Sequence, residues 1–359
     1  MWYVSGTETE GSKGMIIPVT VSPEGQIQAQ QAMERTDFVS LGVKEARIEE
    51  FLRKDIGRIF DEEDETLLIV GQQVVNARNA RNDLVALDGS GSLVLIEIKR
   101  DSSDMVARPE ALEFQAVRYA ASLATIQSVD DLVERIFARY INKWRSEFEL
   151  GELTPEERGK RIVNKFLQQN AAEKSFNQHQ RIILVASAFD GQTLSAAAWM
   201  NDNGIDIACI SLNPLKAGES LYLDVEKLIP AHRNNEFLVG FPVAFPDTST
   251  GQEPTPEKTR TRTTLPKMRE LMEWGLVKPG DVLTIWKYPD SDAVVVDSKT
   301  VRFKDRVLSY NEWGCEVTGW SSINIYDWAT ALNGKLLTDL RAERMAKNLA
   351  DAAQAPGTG

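Results

Sequence analysis

Two apolar runs separated by turn residues predict a β hairpin near position 90. The apolar run 84–87 is followed by Asp-Gly-Ser-Gly-Ser at 88–92, and then by a second apolar run at 93–96. Glycine and serine clusters between two such runs are typical of a hairpin turn. If the turn is centred near Ser90, antiparallel pairing joins Val85 with Leu95, Leu84 with Ile96, and Asp83 with Glu97.

Amphipathic stripes predict a helix on each side of this hairpin. The first helix is predicted from Leu41 to Phe60, because Ile48, Phe51 and Leu52 recur at helical spacing. The second helix is predicted to start near Pro109, since proline suits the first turn of a helix. Its apolar stripe consists of Leu112, Ala116, Tyr119 and Leu123.

Helical and strand patterns alternate in the rest of the first 245 residues. Residues 128–178 are predicted to form an amphipathic helical insertion, with helices at 129–150 and 155–169. A strand at 181–186, a helix at 193–200 and a strand at 205–210 follow. Together with the hairpin, this alternation predicts an α/β fold, in which helices flank a mixed β-sheet.

Composition shifts divide the chain into five predicted parts. A stretch rich in Pro, Thr, Ser and Gly near residue 250 predicts a linker, which we place at 246–262. Residues 1–35 are predicted to form an N-terminal β segment, with a strand at 14–20 and a turn at 22–25. The main domain is predicted at 36–245, a smaller α+β domain at 263–350, and a disordered tail at 351–359.

Composition and charge are those of an ordinary globular chain. The chain has 359 residues, of which 42% are hydrophobic, and a formal net charge of −12. This length predicts two or three domains. The negative charge disfavours a general polyanion binder, but a nuclease remains open because only the field at the substrate groove matters. Much of the acidity is concentrated at 61–65, which predicts a solvated surface.

Cysteine and histidine usage excludes several kinds of site. Cys209 and Cys315 give neither a disulfide framework nor zinc-site spacing. With only His179 and His232, a histidine-rich metal site is also excluded. We expect no organic cofactor. The first residues lack the basic and apolar regions of a signal peptide, and no apolar run spans a membrane, so we expect a cytoplasmic protein.

Charged residues at one end of the hairpin are the main candidates for chemistry. Glu97 and Lys99 share a strand face, because side chains alternate with a period of two. Asp83, opposite Glu97, is predicted to project from the same face, with Cβ atoms about 5 Å apart. Two carboxylates that close repel each other, and a divalent cation removes the repulsion. Hard oxygen ligands suit Mg²⁺, for which Mn²⁺ substitutes.

Other acid–lysine and helix pairs were weighed against this candidate. Asp297-Ser298-Lys299 also follows an apolar run, but no acid precedes it at the paired position. On the first helix, Glu45 and Glu49 lie one turn apart, and we expect Glu45 to belong to an ordinary solvated face. On the second helix, Gln115 and Tyr119 project together at i,i+4 spacing. An ordinary buried tyrosine beside an amide is the alternative interpretation of that pair.

These residues carry a resemblance to a known family. Glu49 on a first helix, Asp83, the triplet Glu97-Ile98-Lys99 and Gln115-x-x-x-Tyr119 on the next helix resemble the PD-(D/E)xK nuclease superfamily. The similarity is greatest to the branch with an E-x-K … Q-x-x-x-Y signature, as in RecB-like and NucS-like nucleases. Arg81-Asn82 precedes Asp83, where the superfamily usually has proline or glycine. The resemblance implies a restriction-endonuclease-like core.

The resemblance also implies roles for individual residues. Asp83 and Glu97 would bind Mg²⁺, the backbone carbonyl of Ile98 would be a further ligand, and Glu49 would reach the metal through water. Lys99 would activate water or stabilise charge. Gln115 would position Lys99 or the scissile phosphate, and Tyr119 would support Gln115. The implied reaction is metal-dependent hydrolysis of phosphodiesters.

The C-terminal part combines basic and aromatic residues. Residues 257–350 carry 15 Lys and Arg against 13 Asp and Glu, and five of the eight tryptophans lie there. Basic residues among aromatics suit nucleic-acid binding, although most tryptophans are expected in the core. The order of motifs from 271 to 341 is similar to that of the RAMA domain. It departs from that domain at Trp320-Ser-Ser-Ile. The resemblance implies binding of DNA, including DNA with modified bases.

Taken together, these patterns predict a metal-dependent DNA endonuclease in restriction or phage defence, with a C-terminal DNA-reading part. DNA is the expected partner, and cutting both strands favours a homodimer. Two alternatives stay open: an inactive binding module on a nuclease fold, and a ligand-gated nuclease that acts on RNA or single strands. The candidate nucleic-acid-binding residues are Arg47, Arg78, Arg81, Arg100, Arg108, Arg118, Arg260, Arg262 and Lys267.

Overall fold

The structure is a computed structural model that describes most of the chain. It describes residues 19–22, 24–29, 33–60, 65–100, 111–231, 234–239, 265–331 and 334–354. Some sequence predictions therefore lie outside the described residues. They include the start of the second helix at Pro109, Arg108, Arg260 and Arg262, the linker 246–262, and most of the acidic run 61–65.

A mixed sheet of seven strands organises the larger part of the structure. Two short strands, β1 (Val19–Val21) and β2 (Ile27–Ala29), pair separately, around a turn in which Gly25 N donates to Ser22 O. The strands of the large sheet are β3 (Glu34–Arg35), β4 (Leu67–Val75), β5 (Arg81–Asp88), β6 (Leu93–Lys99), β7 (Gln180–Ala186), β8 (Ile207–Ala217) and β9 (Ser220–Ile229). Their order is β3-β8-β7-β6-β5-β4, and β9 pairs with β8.

The hairpin between β5 and β6 confirms the predicted register. Leu84 lies opposite Ile96 and Val85 lies opposite Leu95. All seven residues of β6 are buried, as expected for an inner strand covered on both faces. Strands β4, β5 and β6 are antiparallel, whereas β6, β7 and β8 run parallel. The predicted mixed sheet is thus confirmed, whereas its assignment to a restriction-endonuclease-like core remains a prediction.

Ten α-helices are found in the described residues. They are α1 (Glu45–Asp55), α2 (Leu112–Leu123), α3 (Val129–Leu132), α4 (Ala138–Lys143), α5 (Pro155–Gln169), α6 (Gly191–Asp202), α7 (Met268–Glu273), α8 (Tyr310–Thr318), α9 (Ile325–Trp328) and α10 (Leu337–Gln354). Helix α1 packs on β5 and β6, α2 on β6 and β7, and α6 on β8 and β9. No helix among the described residues is long and apolar enough to cross a membrane.

The first helix is shorter than the predicted range 41–60. Residues 38–42 form a turn, in which Gly42 has φ +67° and the Gly42 amide donates to Val39 O. A left-handed residue cannot continue a right-handed helix, so α1 begins only at Glu45. At the other end the helix tightens into a 3₁₀ turn at Ile56–Ile59.

The predicted helical insertion is present, but its first helix is interrupted. A π-helical segment, Val133–Phe137, joins α3 to α4, and a 3₁₀ turn at Arg145–Glu147 follows α4. Helix α5 matches the predicted range 155–169. Its start is fixed by a capping box, in which the Thr154 side chain accepts from Glu157 N and the Glu157 side chain accepts from Thr154 N.

The C-terminal segment contains a smaller antiparallel sheet, of order β13-β12-β11-β10-β14. Its strands are β10 (Val282–Ile285), β11 (Ala293–Val295), β12 (Thr300–Phe303), β13 (Arg306–Ser309) and β14 (Ala329–Thr330). Strands β11 and β12 pair as an antiparallel hairpin. This segment joins the large sheet through Ser322, whose amide and carbonyl both bond to the backbone of Leu67.

Tryptophans mostly fill the interior of the C-terminal segment. Trp313, Trp320 and Trp328 are buried, and Trp274 is partly buried against the core. The Trp320 ring lies edge-on to Phe166 of α5, with centroids 5.1 Å apart, so it helps to join the two sheets. Trp286 is the exception, with 46% of its surface exposed.

Candidate functional site

Three charged side chains meet at the end of the central hairpin. The Lys99 ammonium lies 2.9 Å from Glu97 Oε1 and 3.5 Å from Asp83 Oδ2. All three residues are buried, with total exposures of 7% for Asp83, 1% for Glu97 and 4% for Lys99. The structure therefore brings the three charged residues predicted from the hairpin register onto one face of the sheet.

The peptide unit of Ile98 completes this cluster. Its amide donates to Asp83 Oδ2 at 2.8 Å, and its carbonyl accepts from Lys99 Nζ at 2.6 Å. At the end of β6, this bond to the Asp83 carboxylate thus takes the place of a further backbone hydrogen bond between β5 and β6. As a result, one cation is in contact with oxygens of Asp83, Glu97 and Ile98, the three residues expected to bind a metal directly.

Glu45 also belongs to this cluster, which the sequence analysis did not expect. Its carboxylate Oε1 lies 3.7 Å from Lys99 Nζ, and 36% of its side chain is exposed. The expectation of an ordinary solvated face is therefore wrong for Glu45. The late start of α1 explains the difference, because it puts Glu45 in the first helical turn, beside the end of β6.

Glu49 is linked to Asp83 by a residue that the sequence analysis missed. The Gln73 side-chain amide donates to Glu49 Oε2 and, at 3.2 Å, to Asp83 Oδ1. The Glu49 carboxyl is buried, and its pKa is raised, first by burial and then by the negative charge of Asp83. The protonated form is consequently more favoured at Glu49 than at an ordinary glutamate.

A local irregularity in β4 brings Gln73 into this position. The pairing of β4 with β5 shifts between Ile69 and Gly71, and Gln73 has φ +54°. A Cβ at Gly71 would lie 2.7 Å from Ile136 Cγ2, so glycine permits this close approach. The interruption of the apolar run of β4 by Gly71 is the one sequence signal that could have indicated the irregularity.

Gln115 and Tyr119 contact each other on α2, as their spacing predicted. Gln115 Nε2 donates to Tyr119 Oη at 3.0 Å, and Tyr119 is 6% exposed. This bond links the two side chains to each other rather than to the acids of the cluster. The positioning role implied by the resemblance therefore stays a prediction.

The second acid–lysine sequence, Asp297-Ser298-Lys299, forms a surface turn. Asp297 Oδ1 accepts hydrogen bonds from the amides of Lys299 and Thr300, both at 2.8 Å. These bonds fix the turn between β11 and β12, and both Asp297 and Lys299 are exposed. This turn provides a useful comparison, because it has the same residue types without an opposing acid.

The predicted nucleic-acid-binding residues differ in exposure. Arg47 and Arg118 are exposed on helices, and Arg78 is exposed on the loop after β4. Arg81 is exposed on β5, two positions before Asp83 and therefore on the same strand face. Arg100 and Lys267 are half-buried. The described basic residues thus differ in how far they are accessible to a polynucleotide.

The donor set around Lys99 fits a divalent cation. No group of three or more His, Cys, Asp and Glu side chains in the described part of the chain is arranged to hold a metal. However, two carboxylates and a carbonyl already meet at one positive charge, within 3.5 Å of Lys99 Nζ. Hard oxygen donors of this kind are those that Mg²⁺ and Mn²⁺ prefer. The Lys99 ammonium lies where these three oxygens converge.

Solvent approaches the cluster from the side of α1. The exposed side-chain fraction falls from 36% at Glu45 to 10% at Asp83 and 2% at Glu97.

Comparisons of the chain with protein-family models, with curated proteins and with solved structures found no match. The resemblances to PD-(D/E)xK nucleases and to the RAMA domain thus rest on the residues themselves.

Proposed function

We propose that this protein is a metal-dependent nuclease whose catalytic centre is the cluster around Lys99. The observation that carries the proposal is the meeting of Asp83, Glu97 and the Ile98 carbonyl at one cation. Buried acids facing a lysine at the end of a sheet are unusual for a purely structural position, because burying charged groups is unfavourable even when they are paired.

Asp83, Glu97 and the Ile98 carbonyl would hold the metal, and Mg²⁺ is the ion that their oxygens suit best. A bound divalent ion supplies a Lewis acid that polarises a phosphoryl oxygen and makes water more acidic. Glu49, which the Gln73 side chain joins to Asp83, would lie outside the set of direct metal ligands. Burial and the charge of Asp83 raise the pKa of Glu49, so this group would take up a proton more readily than an ordinary glutamate.

Lys99 would move from the acids to the substrate. Its ammonium contacts the same oxygens that would hold the metal, so the two cations compete for one place. The flexible stem of lysine allows the displaced ammonium to stay beside the acids. There it would stabilise the charge that develops on a phosphate, or donate a hydrogen bond to the attacking water.

Exposed cations would bind the polynucleotide. Arg81 projects on the strand face of Asp83, and Arg47 lies on the exposed side of α1. In the C-terminal segment, Lys287 Nζ lies 4.0 Å from the centre of the exposed Trp286 ring. An exposed aromatic with an adjacent cation suits contact with a base and a phosphate. We therefore propose DNA as the substrate and this segment as a DNA-reading part.

Buried thiols do not provide a competing nucleophile in the large sheet. Cys209 lies in β8, and burial raises the pKa of its thiol to about 12. A thiol of that acidity stays protonated at neutral pH and is a poor nucleophile. The acid–lysine cluster thus provides a better-supported centre for hydrolysis than Cys209.

Cleavage of DNA by matched variants tests the proposal. Wild type is incubated with plasmid, with duplex and single-stranded oligonucleotides, and with methylated DNA, each with and without Mg²⁺. Cleavage by wild type should require the metal. Cleavage by Glu97→Gln and by Lys99→Met should be at least about a hundredfold slower than cleavage by wild type. The control Lys299→Met, in the surface turn, should cut like wild type. Equal activity of Lys99→Met would contradict the assignment.

A second candidate function is a non-catalytic binding module, and the burial of the cluster favours it. Glu97 is 1% exposed, and Lys99 already neutralises both acids without a metal. Titration with Mn²⁺, followed by electron paramagnetic resonance, separates the two functions. A nuclease centre binds the ion and loses it in Glu97→Gln. A purely structural ion-pair cluster binds none, and the protein would still bind DNA.

A further inference from the structure

A second candidate site lies behind the strand that carries Asp83. A cavity of about 560 Å³ lies at the Asp88 end of β5, and a second cavity, of about 530 Å³, lies near the other end of this strand. Its walls include Asn82 of β5, Ser122 of α2 and Arg139 of α4. Because successive side chains of a strand point to opposite faces, Asn82 points away from the face of Asp83. The cavity therefore lies on the strand face opposite to that of the cluster around Lys99, and Tyr119 of α2 lines it.

Asn82 provides an unused hydrogen-bonding group in this wall. The residue is 5% exposed, and its side-chain oxygen is buried with no hydrogen-bond partner among the described residues. Leaving a buried amide group without a hydrogen-bond partner is unfavourable. A half-turn of the amide exchanges its donor and its acceptor, so either group can face the cavity. Such a side chain is suited to a ligand that offers both a donor and an acceptor.

The cavity is basic although the chain is acidic. Three arginines and one glutamate line it, in a protein with a net charge of −12. Arg135 pairs with Asp131 at 3.0 Å, whereas neither Arg78 nor Arg139 forms an ion pair with any described residue. Arg78 stands on a turn that the Asn76 side chain fixes by accepting from the amides of Arg78 and Ala80. Two available guanidinium groups thus lie at one cavity.

We propose that this cavity binds a nucleotide unit, with the base at Asn82 and the phosphate at Arg78 and Arg139. Asparagine pairs with the adjacent donor and acceptor of an adenine edge, and guanidinium groups bind phosphate through paired hydrogen bonds. A simple anion would satisfy the arginines but leave Asn82 unpaired. The cavity volume lies within the usual range of small-ligand sites. The site requires no nuclease activity, so the inference goes beyond the proposed function.

Free nucleotides and polynucleotides present the same chemistry, and a binding experiment distinguishes these two sources. The full chain is titrated calorimetrically with the four ribonucleoside monophosphates and with a short single-stranded oligodeoxyadenylate. EDTA is present throughout, so the result does not depend on cleavage or on the acid cluster. Wild type is compared with Asn82→Ala, with Arg139→Ala and with Arg302→Ala, a control at an exposed arginine of β12.

Adenosine monophosphate should bind wild type best, and Asn82→Ala and Arg139→Ala should each weaken it about tenfold, which corresponds to about 1.4 kcal/mol. Arg302→Ala should bind like wild type. Binding of the oligonucleotide alone, weakened by the same two variants, assigns the site to a polynucleotide. Asn82→Ala should unfold at the wild-type temperature or above it, because it removes an unsatisfied buried amide. Absence of binding by either ligand, or equal binding by all variants, overturns the proposal.

Discussion

Replacement of Lys99 by methionine perturbs the centre of the acid cluster with little change in side-chain volume. The ammonium lies 2.9 Å from Glu97 Oε1 and 3.5 Å from Asp83 Oδ2, and all three groups are buried. Lys99→Met leaves the two carboxylates facing each other without a cation. Removal of one partner from a buried ion pair typically destabilises a protein by about 3–5 kcal/mol. We expect a loss of this size in metal-free buffer at neutral pH.

Two further dependences distinguish this loss from a packing defect. The two stranded carboxylates repel each other only when both are negatively charged. Their unfavourable contribution should therefore be larger at pH 7.5 than at pH 4. A divalent ion at one hundred times its dissociation constant should restore about 2.7 kcal/mol. In wild type, the same ion should stabilise less, because the ammonium competes with it.

Urea unfolding of Lys99→Met and Lys299→Met, each with EDTA or Mg²⁺ and at pH 4 and pH 7.5, provides the assay. Lys299 lies in the exposed turn after β11, so its variant should stay within about 0.5 kcal/mol of wild type under every condition. A Lys99→Met protein as stable as wild type at pH 7.5, or one that Mg²⁺ leaves unchanged, would refute the reasoning.

Three further predictions concern other parts of the fold. The pKa of Glu49 is raised in the folded protein, so the contribution of this residue to stability is lost as pH rises. The stability of Glu49→Gln relative to wild type, measured by urea midpoints, should therefore increase from pH 4 to pH 7.5. Trp320→Ala removes the ring packed on Phe166 and should destabilise the protein by about 3–5 kcal/mol in the same assay. Glu65→Ala removes the carboxylate that accepts two bonds of 2.7 Å from the buried Arg181 and leaves Arg181 with its ion pair to the half-exposed Asp206 at 3.3 Å. Thermal unfolding should show a loss of about 3–5 kcal/mol, whereas an unchanged midpoint would contradict a buried ion pair.

The central hairpin could be predicted from sequence because its turn and its apolar alternation agree. A slip of one residue would turn every side chain of β6 to the other face, so the pattern specifies the register strongly. Helix α5 was predictable for a similar reason, since Thr154, Pro155 and Glu157 together mark one start. In both elements, local signals and burial lead to the same boundaries.

Features that depend on distant contacts were not predictable in this way. The start of α1 depends on the left-handed Gly42, and the sequence alone does not show that this glycine ends a turn. From the sequence alone, Glu45 resembles an ordinary solvated acid. Its contact with Lys99 depends on the end of β6 lying beside α1 in the fold. Gln73 joins Glu49 to Asp83 only because β4 is irregular near Gly71. Sequence periodicity assumes regular strands and therefore misses such a bridge.

The location of Mn²⁺ by anomalous scattering, in crystals of the full chain, tests the central claim most directly. The account predicts an anomalous peak bounded by the carboxylates of Asp83 and Glu97 and the carbonyl of Ile98, with the Lys99 ammonium displaced from all three. A map in which Lys99 still contacts these oxygens, with no peak beside them at saturating Mn²⁺, would contradict the account.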